Sequence, residues 1–255
     1  MIQPPIPEDS LAYGFVISGT GAHTSRTIML ADLRKLLISV PASAKLEEYR
    51  SVIIEQNVLL KSTGVTRRET FRRLKALYGL NTDILLFRAL RDLWDLQPEA
   101  QPILALLCAI ARDPLLRATA NVVMSTSVGA EITAGEISKA VDEKFNGRYN
   151  PIVAGIGRRA ASSWQQSGHL QGKFKKIRSI PQFSPTSAAY GLFLGYLCGG
   201  RGDGLFDTFW SQLLGAPLHV LHDLAITAAK QGLLEYKHSG NVTEVSFRYL
   251  MGDRT

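Results

Sequence analysis

Residues 131–180 read EITAGEISKAVDEKFNGRYNPIVAGIGRRAASSWQQSGHLQGKFKKIRSI, and this stretch decides the fold. Thr133 with Glu136 is a capping-box pair, in which each side chain bonds the other residue's backbone N–H. Ile137, Val141 and Phe145 follow at i, i+4 and i+8, the spacing of one helix face. Asn146-Gly147 makes a turn. Asn150-Pro151 opens a second helix, with Ile152, Ile156, Ala160 and Trp164 as its buried stripe and Gly168 as its end. Leu170, Phe174 and Ile177 then alternate imperfectly with Lys173, Lys175, Lys176 and Arg178 around Gly172, which predicts a short twisted hairpin. Helix, turn, helix and basic hairpin is the plan by which a winged helix addresses a nucleic-acid duplex.

The charge of this stretch has one sign. From Asn146 to Ile180 the ionic residues are Arg148, Arg158, Arg159, Lys173, Lys175, Lys176 and Arg178, with no Asp or Glu. On the second helix Arg158, Arg159, Ser162, Ser163, Gln165 and Gln166 offer donors among small residues. Arginine pairs with guanine and glutamine with adenine in a major groove, while hydroxyls and lysines meet phosphates. Ala154, Gly155, Gly157 and Ala161 would let a nucleic-acid backbone come close. The competing explanation is a solvated basic face on a structural domain. Charge clustering together with the order of the elements favours binding.

Upstream, residues 25–124 read as a bundle of helices with no strand signal. Thr24 or Ser25 caps a helix over 26–39, and a second runs over 46–61. Thr66-x-x-Glu69 is a capping box for a helix that carries Phe71, Leu74, Leu77 and Tyr78 on one face and Arg68, Arg72 and Lys75 on another. That helix, which also holds Arg67 and Arg73, is a second cationic surface. It could extend a duplex footprint or pair with acids elsewhere in the bundle. A further helix runs from Asn81 or Thr82 to Trp94. The helix 102–112 is apolar nearly all round, which places it at the centre of the bundle, and Asp113-Pro114 opens another to about Met124. Residues 1–24, with Pro4, Pro5 and Pro7, read as an irregular arm.

Downstream, residues 186–255 repeat the plan of 125–185: helices over 186–198, 205–214 and 217–231, then strands 233–238 and 242–247 around Ser239-Gly240-Asn241. Glu235 and Glu244 oppose Lys237, so this second hairpin is near neutral. The expected architecture is mainly α: an N-terminal arm (1–24), a helical bundle (25–124), and two winged-helix-like modules (125–185 and 186–255), the first with a basic wing.

Composition is that of a globular chain, with 45% hydrophobic and 20% charged residues. A net charge of +7 and a pI near 9.5 favour a polyanionic partner. Cys108 and Cys198 lie in apolar runs and are read as small buried hydrophobes of a reducing compartment. MIQPPIPEDS is not a signal peptide, and no apolar run reaches the roughly 18 residues a membrane helix needs. The expectation is a cytoplasmic chain without a membrane partner.

Catalysis finds little support in the sequence. His219 and His222 stand at i, i+3 beside Asp223, but no third metal ligand is identifiable. GGRGDG (199–204) lacks the Lys-Ser/Thr of a phosphate loop and follows no predicted strand, so it reads as a helix connection. Ser162, Ser163 and Ser167 have no evident base. No enzyme activity, metal or cofactor is expected.

Five segments in order resemble the BrxA family of bacterial BREX phage-defence systems. They are EEYRSVIIEQNVLLKSTGVTRRETFRRLKALYGL (47–80), LLFRALRDLW (85–94), ILALLCAIARDPLLR (103–117), SSWQQSGHLQGKFKKIR (162–178) and GLLEYKHSGNVTEVSF (232–247). The resemblance covers most of residues 25–250, and residues 1–24 depart from the pattern. It implies a small helical protein with a region like the antitermination-factor fold, winged-helix character, double-stranded DNA binding and no enzyme activity. No binding residue is carried over from it. The DNA-contact candidates come from charge alone: Arg158, Arg159, Ser162, Ser163, Gln166, Lys173, Lys175, Lys176 and Arg178, with Arg68, Arg72 and Lys75 on the bundle. The expected role is to bind duplex DNA beside other defence proteins. The alternatives are a protein–protein adaptor in such an assembly, or an RNA-binding protein, against which stands the lack of an aromatic stacking platform.

Overall fold

A computed structural model describes residues 6–240 and 242–252. The fold is mainly α-helical. In chain order α1 is Leu30–Ile38, α2 Leu46–Ile54, α3 Gly64–Tyr78, α4 Leu85–Trp94, α5 Gln101–Arg112, α6 Pro114–Ala118 and α7 Ala120–Ser125. Then come β1 (Glu131–Ile132), α8 (Ala134–Lys144), α9 (Val153–Gln166), β2 (Leu170–Gln171) and β3 (Lys176–Arg178). The chain continues with α10 (Pro185–Leu197), α11 (Phe209–Gln212), α12 (Leu218–Lys230), β4 (Glu235–Ser239), β5 (Val242–Ser246) and α13 (Arg248–Met251).

One continuous core runs from Phe15 to Leu250. Helix α5 lies at its centre. Every residue from Ile103 to Ala111 is buried, as an all-round apolar pattern requires, and α3, α4, α6 and α10 all pack on it. Leu74, Leu77 and Tyr78 of α3 face that core, while Arg68, Arg72 and Lys75 face solvent. Trp94, Trp164 and Trp210 are among the largest fully buried side chains, and truncating such a residue costs about 3–5 kcal/mol. A satellite cluster of Leu115, Val141, Tyr149 and Ile156 fills the space under α8 and α9.

Several expected boundaries move. Helix α3 starts earlier: Thr63, not Thr66, caps it, its Oγ1 accepting from Thr66 N at 3.1 Å. Glu69 is thereby released to pair with Arg72 and Arg73. Helix α1 starts at Leu30 rather than near Arg26, because Met29 enters it with a left-handed φ of 53°. Helix α2 stops at Ile54, seven residues before the expected end at Lys61. Asn57 and Leu60 adopt positive φ there, and Asn57 Oδ1 accepts from Lys61 N at 2.8 Å. The helix expected over 114–124 breaks at Thr119, whose hydroxyl donates to Leu116 O and accepts from Trp164 Nε1. The helix expected over 205–214 divides into a 3-10 turn (Gly202–Asp207) and α11.

The N-terminal segment is not a loose arm. Residues 6–24 form two short 3-10 turns, Glu8–Tyr13 and Ala22–Thr24. Phe15 is buried edge-on against Trp210, with ring centroids 5.5 Å apart, and His23 is fully buried. Pro4 and Pro5 of the expected arm, and Asn241 of the second hairpin turn, lie outside the described residues.

The small sheet around 131–178 has strand order β1-β3-β2, antiparallel throughout. The second hairpin, β4-β5, stands as its own two-stranded sheet. Among the described residues no helix is long and apolar enough to cross a membrane.

Candidate nucleic-acid interface

Helix α8 is set by its first turn. Thr133 Oγ1 accepts from Glu136 N at 3.2 Å and Glu136 Oε2 accepts from Thr133 N at 2.7 Å, the reciprocal pair the sequence predicts. Helix α9 crosses α8 at Gly157. A Cβ there would lie 2.0 Å from Ser138 Oγ and 2.6 Å from Ala134 O, so only glycine fits. The close approach that this glycine allows is therefore to helix α8 and not to a nucleic-acid backbone. Ile156, Ala160 and Trp164 form the buried stripe of α9, while Ile152 precedes the helix and is exposed. The opposite face presents Arg158, Ser162 and Gln165 at i, i+4 and i+7.

The hairpin folds back over that face. Gly172 turns with φ 97°, and a Cβ there would meet Lys175 O at 2.2 Å. Lys176 Nζ braces the turn from within, donating to Gly172 O and Lys173 O and to Gln165 Oε1 of α9. Between α9, the hairpin and the α8 N-terminus lies an open cleft of about 370 Å³. Arg158, Ser162, Lys173, Lys175, Lys176 and Phe174 all line it. Lys175 pairs with Glu131 of β1 at 3.3 Å, both side chains largely in solvent, a pair worth about 0–1 kcal/mol. Glu131 thus brings one acid to a surface that its own sequence neighbourhood leaves cationic. The cleft keeps a surplus of positive charge.

Other candidate residues lie elsewhere. Arg178 is 4% exposed; Nη1 donates to His169 O and Ser179 O, and burial lowers its pKa. It holds the base of the hairpin and does not face solvent. Gln166 Oε1 accepts from Leu30 N and is spent on α1. Arg72 is tied to Glu69 by two bonds of 2.9 Å. Burial opposes ionisation of Glu69, yet its bonds to Arg73 and Arg72 outweigh this and leave its pKa lowered. Arg68 and Lys75 are exposed and make no ion pair among the described residues.

Ser163 is the largest departure. It is fully buried, and its Oγ stands 2.8 Å from His23 Nε2, while His23 Nδ1 stands 2.8 Å from Asp113 Oδ2. The base for this serine is not evident from its sequence neighbours, because the histidine is 140 residues away. The Ser-His-Asp order resembles a nucleophilic triad, but none of the three side chains reaches solvent and Ser163 Oγ also accepts from Ile28 N. The group is a pin. Asp113 caps α6 through Leu115 N and Leu116 N and clamps Ala22 N and His23 N with its other oxygen. Burial opposes ionisation of Asp113, but the His23 ring and the backbone donors outweigh it and hold its pKa below the ordinary value.

That pin places two arginines, Arg159 of the candidate set and Arg73 of α3, which the set lacks. Arg159 Nη1 donates to His23 O at 3.4 Å, and Arg73 Nη1 donates to Gly21 O and Thr24 Oγ1. The pKa of Arg159 is lowered, first by burial and then by repulsion from Arg158, Arg26 and Arg73. The α3 and α9 cations are therefore electrostatic neighbours, joined through Arg26 and Arg73. No signal short of the fold marks this, since the residues are scattered over more than a hundred positions.

No protein-family model matches this chain, and no curated protein matches it.

Among the described residues the downstream region offers no comparable surface. On its hairpin Lys237 pairs with Glu244 at 3.8 Å and Arg248 with Glu235 at 3.3 Å. His222 stacks on Phe206 with centroids 4.0 Å apart and sits 3.1 Å from Tyr236 Oη. Among the described residues no group of His, Cys, Asp or Glu is arranged to hold a metal. The GGRGDG loop is closed by Arg201, which donates to Tyr196 O and covers the Tyr196 ring at 3.9 Å. Cys108 is buried and Cys198 half-buried; both are free thiols pushed up to about 11 by burial.

Proposed function

We propose that residues 131–178 form a winged-helix module that binds double-stranded DNA mainly through phosphates, in a protein without enzyme activity. The observation that carries this reading is the cleft where Arg158 and Ser162 of α9 meet Lys173, Lys175 and Lys176 of the hairpin. A duplex presents parallel rows of phosphates, and a cationic helix beside a cationic hairpin can span them. The element order supports it: helix α7, strand, helix, helix, then two strands, with β3 central in the sheet. Arg159, Arg26 and Arg73 extend the positive charge toward α3. Arg178, Ser163 and Gln166 act as supports behind it. The downstream region would be a second module of the same plan with a structural or partner-docking role.

The resemblance to the BrxA family agrees with duplex binding. It alone supplies the setting, a multi-protein phage-defence assembly in which this chain would place partners on DNA.

A mobility-shift titration of a mixed-sequence duplex tests the reading. Affinity should fall linearly on a log–log plot against salt, with a slope near 0.9 for each phosphate contact. No binding at about 50 mM salt would remove the DNA reading and favour an adaptor that meets acidic proteins. A preference for RNA hairpins over duplex DNA would favour the RNA alternative.

A further inference from the structure

Phe174 is 90% exposed at the tip of the hairpin, the most exposed large hydrophobic side chain among the described residues. Leu170, Phe174 and Ile177 alternate only imperfectly with the cations around Gly172. Leu170 is buried, but the turn at Gly172 swings Phe174 outward. A phenyl ring held in water loses the transfer free energy that burial supplies, so it needs another occupation. The turn that carries it is tied down. Lys176 braces the turn beneath it, and Lys173 Nζ lies 5.5 Å from its ring centroid. The ring forms one wall of the 370 Å³ cleft, with Ile132, Ala134 and Ala161 as the apolar part of the others. Arg158, Ser162, Lys173 and Lys175 supply donors around the same space.

An apolar wall, an aromatic face and a ring of cations in one small cleft match one kind of ligand: a flat heteroaromatic ring attached to a phosphate. An intact duplex cannot present that, because its bases are stacked and its phosphates lie outside. A nucleotide out of the stack can. We infer that this cleft takes a single unpaired nucleotide of duplex DNA, with its base stacked on Phe174 and its phosphate met by Arg158 and Lys173. This rests on the DNA-binding reading above and adds to it a preference for DNA with a bulge, mismatch or flap. Extruding a base costs least where it is already unpaired. Stacking on an aromatic side chain tolerates any base identity, so no sequence preference is expected at this site.

The test compares two duplexes by fluorescence anisotropy: one fully paired, one carrying a single 2-aminopurine bulge. The wild-type protein should bind the bulged duplex about five- to a hundredfold more tightly, the range that one base–aromatic stack provides. The 2-aminopurine emission should be quenched on binding. Phe174→Ala should abolish both the preference and the quenching, so that the two duplexes bind alike. Phe174→Trp should keep both. Since the ring packs on no core residue, these variants should retain the wild-type circular dichroism. Equal affinity of the wild type for both duplexes with undiminished emission overturns the inference and leaves duplex binding intact. Retained quenching in Phe174→Ala also overturns it. Failure of the wild type to bind either duplex overturns the inference and the DNA reading together.

Discussion

The regions 131–178 and 185–246 share a plan of helices followed by a hairpin, yet they use their charges in opposite ways. In the first, Lys173 and Arg158 point into an open cleft, and of the cations that line it Lys175 alone has an acidic partner among the described residues, Glu131. In the second, Lys237 of the hairpin and Arg248 of α13, just beyond it, each pair with a glutamate of the hairpin. A charge whose partner is already present has little left for a ligand, and a charge without one keeps its field. The difference teaches that a common element order does not carry function with it. Function follows from which charges the local sequence leaves unpaired.

Charge reversal separates the two regions most sharply. Replacing Lys173 and Lys175 by Glu should weaken duplex binding about a hundredfold, since like charges brought face to face cost several kcal/mol. The same change at Lys237 and Arg248 should stay within about twofold, because rim charges outside a contact contribute little. Anisotropy on one duplex at fixed salt measures both. Equal losses would break the comparison and assign the second hairpin a direct role.

The seam between the regions gives the next effect. His169 lies at the base of the first hairpin and donates through Nε2 to Leu213 O of the second region at 2.7 Å. Burial pushes its pKa down to about 3, the bond to Leu213 opposes that shift, and Arg178 adds to it. In the unfolded chain the ring titrates near 6.5. Between these values the unfolded chain binds the extra proton, so stability is fully present above about pH 6.5 and falls with acidification. The loss is about 1.4 kcal/mol per pH unit. Urea titrations at pH 7 and near pH 5 should show about 2 kcal/mol lost in the wild type and a smaller loss in His169→Gln. Identical losses would mean that His169 does not govern the seam.

The smallest effect compares two helix crossings. Gly157→Ala places a methyl 2.6 Å from the backbone oxygen of Ala134, which must move. Gly195→Ala first meets the Thr208 and Leu205 side chains, at 2.6 and 3.2 Å, and these can rotate. Thermal unfolding should show a cost of about 1–3 kcal/mol for the first and less for the second. A reversed order would mean that the α8–α9 crossing yields more easily than the α10–α11 packing.

Much of this was legible in the chain because it depends on neighbours in sequence. The reciprocal cap of α8 needs only Thr133 and Glu136, three residues apart. The central place of α5 follows from a run with no polar face, and the buried stripe Leu74, Leu77 and Tyr78 from helical spacing. The moved boundaries mark where local rules compete: Thr63 and Thr66 both satisfy a cap, and the first wins once α3 is packed. The site was legible in outline only. The charge run predicted a cationic surface at Arg158, Lys173, Lys175 and Lys176, but Ser163, Gln166 and Arg178 looked like equal members of it. Their removal depends on His23, Leu30 and His169, partners that sequence spacing does not reveal.

The opening stretch divides along the same line. By itself the sequence determined the helices, the hairpin and the sign of the charge, because hydrogen-bond periodicity and residue type are local properties. Tertiary structure decided which cations stay free, which serine is sealed in, and that Phe174 faces water. Those outcomes depend on long-range burial: the cost of leaving Asp113 and His23 unpaired inside the core draws in Ser163 and the N-terminal segment, and a two-residue strand at Glu131 closes the sheet that turns the hairpin over α9.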